Sequence, residues 1–291
     1  MAILNVGTGK PYATIQGAIT AVDHGGTVQV HAGGVANVYA EALVVNNKRV
    51  RLFGAIDGPG ISVTGAGGGA APALLVSGTG GCFLENLKFS NVGSSATYVV
   101  QLNVSYDWIS RCVIDGGATA RCLLGQFGDN VLLKNGTRGM GASCSGSLLA
   151  QHFTVVNMSV YGFAAATYGS TFIGCLTANC NNLGLQGISL NNSFWCFTSD
   201  ASAFQVTASK YNMPLADIDF VDYAGGDFRL KPGSLAGIPG ISTLAIDGLG
   251  RKRVRQGDDC QIFGGYHDPQ IFDDNAAKLA WLTGTSSIRK Y

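Results

Sequence analysis

The chain has 291 residues, 46% of them hydrophobic and 13% charged, which supplies apolar material for a long core and excludes an intrinsically disordered chain. Its formal net charge of +1 gives no reason to expect a polyanionic partner, so specific nucleic-acid binding is not expected. No apolar run approaches the ~20 residues of a membrane-spanning helix.

The opening Met1-Ala2-Ile3-Leu4-Asn5-Val6-Gly7 has neither a basic stretch nor an apolar one, so no secretory signal is readable and synthesis in a host cytoplasm is expected. Over residues 12 to 22, Ile15, Ala18, Ile19 and Val22 share one apolar face and predict a short helix that ends at Gly25-Gly26. Alternating strands follow in Thr27-Val28-Gln29-Val30-His31, Leu43-Val44-Val45 and Val50-Arg51-Leu52-Phe53-Gly54. A short amphipathic helix ahead of stacked strands is the lid expected over a first coil.

From about residue 80 to 200 a loose repeat emerges, with short apolar segments starting at Leu87, Cys112, Leu132, Met158, Leu176 and Cys196, at intervals of 18 to 26 residues. Such self-similarity predicts a solenoid, since one rung cannot bury its apolar face alone. The fold class expected is therefore all-β: a right-handed parallel β-helix with parallel strands from about 27 to 210 and Phe89, Ile114, Leu133 and Val160 in its core. The segments end in Asn91, Asp115, Asn135, Asn179 and Asp200, residue types that tolerate the left-handed backbone of a sharp corner. A β-sandwich is the structural rival, and it would favour Asn-Gly or Asp-Gly hairpins.

Beyond Lys210 the repeat fades into acids and turns. Residues 1–210 are expected to form the capped β-helix and 211–291 an irregular C-terminal cap and tail packed on the same solenoid. A last short helix is expected after Asp273 or Asp274, through Ala276, Leu279 and Leu282.

Eight cysteines occur at positions 82, 112, 122, 144, 175, 180, 196 and 260, with no CxxC pair. Apolar neighbours, as in Cys82-Phe83-Leu84, favour buried free thiols over bridges, and bridges over metal ligation. No metal site or cofactor is expected. Asn103, Asn135, Asn157 and Asn191 open Asn-x-Ser/Thr sequons, which accept glycans only in a secretory lumen.

Two stretches carry a family resemblance. Val6-Gly-Thr-Gly-Lys-Pro-Tyr-Ala-Thr-Ile-Gln-Gly-Ala-Ile19, with Gly26-Thr-Val-Gln-Val30 and Val38-Tyr-Ala-Glu41, resembles the opening of pectin-lyase-like β-helix proteins, especially pectin methylesterases. Gly226-Asp-Phe-Arg-Leu-Lys-Pro-Gly-Ser234, Ile246-Asp-Gly-Leu-Gly-Arg251 and Ile262-Phe-Gly-Gly-Tyr266 is similar to the closing segment of bacterial and phage β-helix repeat proteins. The resemblance implies the fold, and it implies function only weakly, because this fold hosts lyases, hydrolases, esterases, adhesins and virion components.

The methylesterase pattern of paired Asp, Arg and Gln, with one Asp in a Gly-x-x-Asp-Phe-Ile-Phe-Gly-like strand, is not matched. The Asp-Phe pairs are Asp219-Phe220 and Asp227-Phe228, both in the expected cap. Calcium-assisted lyase chemistry needs an acidic cluster, whereas the acids between 27 and 210 are isolated in sequence. The best catalytic candidates are Asp107 and Asp129 on successive turns, beside Arg111 and Trp108. Paired carboxyls of an inverting glycosidase stand ~6.5 to 9.5 Å apart, and Trp108 could carry a sugar face. The corner-residue and packing readings of the same side chains compete with that chemistry. The run Arg251-Lys252-Arg253-Val254-Arg255 is the one concentration of charge and a candidate binding segment beside the aromatic tail residues Trp281 and Tyr291.

With no convergent acid cluster, the function expected is a non-enzymatic structural or interaction protein. The setting expected is a phage virion, as a head-decoration or tail-associated component. A homo-oligomer, with a trimer favoured by analogy to viral β-helices, and other virion proteins are the expected partners. The alternative is a carbohydrate-active enzyme or polysaccharide-binding protein of the same fold.

Overall fold

Short strands of period two, each too short to bury a face alone, stack here in parallel. The computed structural model describes residues 2–33, 37–55, 60–65, 71–91, 98–104, 107–142, 149–164, 170–180, 183–186, 192–194, 196–199, 210–212, 215–218, 220–230, 237–239 and 261–263. Every strand pairing from Ile3–Val6 to Lys210–Asn212 is parallel, and the two antiparallel pairings lie beyond residue 219. This is the expected parallel β-helix, and the register rules out the sandwich.

The solenoid has three flanks. The first is a sheet of nine strands in the order Ile3–Val6, Thr27–Val30, Arg49–Gly54, Gly81–Glu85, Trp108–Ser110, Phe127–Asp129, Leu149–Gln151, Thr171–Ile173 and Asn192–Phe194. The second begins at Val38–Ala40 and Ser62–Gly65 and continues through Lys88–Asn91 and Val113–Asp115. The third runs through Leu43–Asn46, Leu74–Ser77, Tyr98–Leu102 and Arg121–Gly125. The long strands Leu132–Ala142 and Thr154–Ala164 turn the corner between these two flanks, joining them into one hydrogen-bonded sheet.

Inward positions coincide on successive rungs. Val28, Leu52, Leu84 and Ile109 fill the first flank's share of the core, Phe89, Ile114, Leu133 and Val155 the second's, and Leu74, Val100, Leu123 and Met140 the third's, all fully buried. Farther along, Phe153, Phe163 and Phe172 make the core aromatic, with centroids 6.1 and 5.0 Å apart in sequence order. Gly128 makes room for the first of them: a Cβ there would stand 2.9 Å from the Phe153 ring. Val160 is not a core residue as expected. It is half-buried because the register shifts by one residue between Met158 and Tyr161, and Met158 takes the inward place.

Corners use the left-handed backbone. Each residue directly after a first-flank strand in the series Asn86, Arg111, Asn130, His152 and Gly174 has φ between 49 and 61°. A second column, Asn135, Asn157 and Asn179, has φ of 52 to 56° and forms a side-chain ladder. Asn179 Nδ2 donates to Asn157 Oδ1 (2.9 Å), and Asn157 Nδ2 donates to Asn135 Oδ1 (3.2 Å). Asn91 and Asp115, expected at such corners, are not left-handed; Asp115 instead accepts Gly117 N–H, and positive φ falls on Gly117 and Ala118. Asp200 lies outside the described residues.

The predicted helix spans Ile15–Ala21. Thr14 caps it by accepting Gly17 N–H (3.2 Å), and the Glu41 carboxylate accepts from Ile15 and Gln16 N–H, both at 2.9 Å. At the other end Lys48 Nζ donates to the carbonyls of Ile19, Thr20 and Val22. These charges answer the helix dipole at both termini.

Of the region beyond Asn212, residues 215–230 pack along the second flank. Ile218, Phe220 and Phe228 bury the outward-facing Val113, Leu132, Val156, Leu176 and Ala178. The expected terminal helix after residue 273 lies outside the described residues.

Candidate functional site

The first flank's outward side chains fall into two columns, set by the strand register. One holds Arg51, Phe83, Trp108 and Phe127 on four successive rungs, and the other Phe53, Glu85, Ser110 and Asp129. The result is an aromatic strip with charges threaded through it. Trp108 and Phe127 are nearly parallel, at 13°, with centroids 6.3 Å apart. The Arg51 guanidinium lies 5.0 Å from the Phe53 centroid and 5.8 Å from that of Phe83. Phe83 is 40% exposed.

The charges are matched to one another. Glu85 is gripped from both sides, by Arg51 Nη2 at 2.7 Å and by Arg111. Burial pushes the Glu85 carboxyl up, but the hydrogen bonds and charges of Arg51 and Arg111 outweigh it and hold the group below its ordinary value. The left-handed corner at Arg111 lets its side chain reach back across one rung to Glu85.

Asp129 accepts from Trp108 Nε1 (2.6 Å), Ser110 Oγ (2.9 Å) and Asn130 Nδ2 (3.1 Å). Burial still raises its carboxyl above the ordinary value, despite those bonds and the Arg111 charge. The indole is thereby locked in one orientation on the surface strip.

Asp107 has another role. It is fully buried, and its two oxygens accept Cys82 N–H (2.6 Å) and Val104 N–H (3.0 Å). Burial raises its carboxyl to about 6, only partly offset by those two bonds. The two acids sit on successive rungs, as expected, but Trp108 pairs with Phe127. Asp107 therefore lies level with the residue before Phe127, three positions short of Asp129 and about 10 Å away along the strand direction. Arg111 serves Glu85, and Trp108 serves Asp129.

Sequence reasoning passed over Arg51, Phe53, Phe83, Glu85 and Phe127. The signal was present in the alternation: once Leu52 and Leu84 point inward, Arg51, Phe53, Phe83 and Glu85 must point outward. The candidate binding residues Arg251, Lys252, Arg253, Arg255, Trp281 and Tyr291 lie outside the described residues. Among the described residues no group of three or more His, Cys, Asp or Glu is arranged to hold a metal, and no helix is long and apolar enough to cross a membrane.

Solved structures similar to this chain include two pectin methylesterases. The enzyme from Aspergillus niger, in deglycosylated form, shares 12% identity over 72% of this chain and 89% of its own, with a TM-score of 0.44. The carrot enzyme shares 12% over 74% and 90%, also with a TM-score of 0.44. No family model and no curated protein matches the sequence. The fold assignment rests on the strand register.

Proposed function

We propose that this chain is a non-enzymatic interaction protein that offers the outer face of its first flank as a rigid docking surface for polysaccharide. The observation that carries the reading is the orientation of Trp108, held by Asp129 between Phe83 and Phe127 on neighbouring rungs. An aromatic ring already fixed in place loses little entropy on binding, and a strip of such rings offers an apolar surface to sugar rings. The carboxylates beside it have their oxygens bound by arginine, indole, hydroxyl and amide donors, an arrangement suited to orienting the strip rather than to moving protons. The proposed setting is a phage virion, as a head-decoration or tail-associated component that assembles as a homotrimer with other virion proteins. Its support is the resemblance of the C-terminal segment to phage β-helix repeat proteins.

Labelled bacterial surface polysaccharides titrated against the full chain test the docking surface. Saturable binding should weaken roughly tenfold in Trp108→Ala and in Phe83→Ala, with no new reducing ends released on long incubation. Release of reducing ends that disappears in Asp129→Asn would make the protein an enzyme and end this reading. Light scattering showing a stable monomer would remove the trimer.

A further inference from the structure

We infer that the third flank carries an oxyanion site for a phosphate monoester, built from Arg121 and Arg138 between Tyr98 and Tyr161. Tyr98 pairs with Arg121, and Arg138 pairs with Tyr161, in the strand register. Leu123 pairs with Met140, which places Arg121 and Arg138, each two residues earlier, on adjoining rungs. Four half-buried side chains thus stand in one column in the order Tyr, Arg, Arg, Tyr.

Each guanidinium stacks on its own tyrosine, Arg121 at 5.4 Å from the Tyr98 centroid and Arg138 at 4.9 Å from that of Tyr161. Glycine at 141 lets Tyr98 lie across both rungs: a Cβ there would stand 2.5 Å from the Tyr98 hydroxyl, so the ring spans from the rung of Arg121 to that of Arg138. The one-residue register shift before Tyr161 brings that ring level with Arg138.

Among the described residues this column has no counter-charge. Elsewhere on the solenoid Arg51 and Arg111 share Glu85, and Lys134 meets Asp115. Arg121 and Arg138 have no ion pair with any described carboxylate. Their strands are about 4.8 Å apart, and like charges so placed repel. Stacking uses the flat face of a guanidinium and leaves its edge donors available for a bidentate partner. Two cations call for a dianion. A phosphate monoester carries close to two negative charges at pH 7 and three acceptor oxygens, enough for two forks at once, whereas a single carboxylate or a phosphodiester answers only one of the two charges.

The test is calorimetric titration of the full chain with inorganic phosphate and with a hexose 6-phosphate, using acetate and sulfate as controls at matched ionic strength. Phosphate should bind saturably at pH 7.5 and several-fold more weakly at pH 5.5, where it is largely a monoanion. Sulfate, a dianion at both values, should show no such change, and acetate should not bind. Tighter binding of the hexose 6-phosphate than of phosphate would place the group on a sugar, and equal binding would assign the site to phosphate itself. Arg121→Gln and Arg138→Gln should each weaken binding roughly tenfold or more, while melting no lower than the parent in anion-free buffer. Binding that survives either substitution, acetate binding equal to phosphate, or early melting of the glutamine variants without anion would overturn the site; the last would make the arginines packing for the tyrosines.

Discussion

Asp107 is a carboxyl with no exposed surface. It fastens two backbone N–H groups, of Cys82 and Val104, at the turn into a first-flank strand. Its carboxyl, raised by burial to about 6 from 3.8, binds its proton more tightly in the folded chain than in the unfolded one. Folding stability therefore falls as pH rises from about 4 to 6, and the full cost, on the order of 2–3 kcal/mol, is present above that window. Asp129, also raised, acts in the same direction. Glu85, held low by its arginines, opposes them only as pH drops below its unfolded value. His31, whose imidazole burial holds below its ordinary value, acts the other way near neutrality, so the Asp107 contribution is read by difference: from pH 4.5 to 7.5 the parent should lose more, or gain less, melting temperature than Asp107→Asn. The same variant should melt lower than the parent at pH 5.5, because an amide has one acceptor oxygen where two N–H groups need one each. A pH dependence of melting identical in the parent and in Asp107→Asn would contradict this account of Asp107.

The ladder of Asn135, Asn157 and Asn179 joins two tasks that are separable by mutation. Each asparagine accepts a left-handed backbone, and each side-chain amide binds the next rung. Tyr223 adds a hydrogen bond to Asn157 Oδ1. Asn157→Gly should keep the backbone and lose the ladder bonds together with the Tyr223 bond, costing about 1–2 kcal/mol in urea unfolding. Asn157→Ala adds the left-handed penalty and should cost about 1–2 kcal/mol more. Equal costs for the two would mean that the corner carries no conformational load. These corners were legible in sequence for Asn135 and Asn179, because an asparagine that closes an apolar run marks the point where the strand must turn. The helix was legible for a similar reason, as its face repeats within a few residues. The strand Ile3–Val6 was not: its partner Thr27–Val30 lies beyond the helix, and a short run of four residues carries no period of its own. Val160 was misplaced because a one-residue bulge reverses the alternation without leaving a mark in composition. Asp107 and Asp129 stood out as isolated acids beside a tryptophan. Which of them faces inward depended on the strand start, and sequence patterns place element boundaries poorly.

At the scale of the molecule, the described chain buries two apolar layers. One is the interior of the solenoid, where Cys82, Cys112, Cys122, Cys175 and Cys180 stand as the expected buried thiols, with burial pushing Cys112 up to about 12. The other lies outside the second flank, under residues 215–230. A chain ending after Asn212 should retain its parallel strands yet expose Leu132, Val156, Leu176 and Ala178 together. Strong binding of a hydrophobic dye and concentration-dependent self-association are the expected readouts. A truncated chain that stays monomeric and dye-silent would show that the covering segment contributes little. The opposite end of the solenoid is closed differently. There Gln16 pairs its side-chain amide with the backbone N–H and carbonyl of Val44, at 2.7 and 3.2 Å, so that one glutamine stands where a residue of a further strand would otherwise bind. During synthesis this sealed end leaves the ribosome first. Each rung that follows can then pair with the growing C-terminal edge as it emerges, which gives the coil a direction of growth.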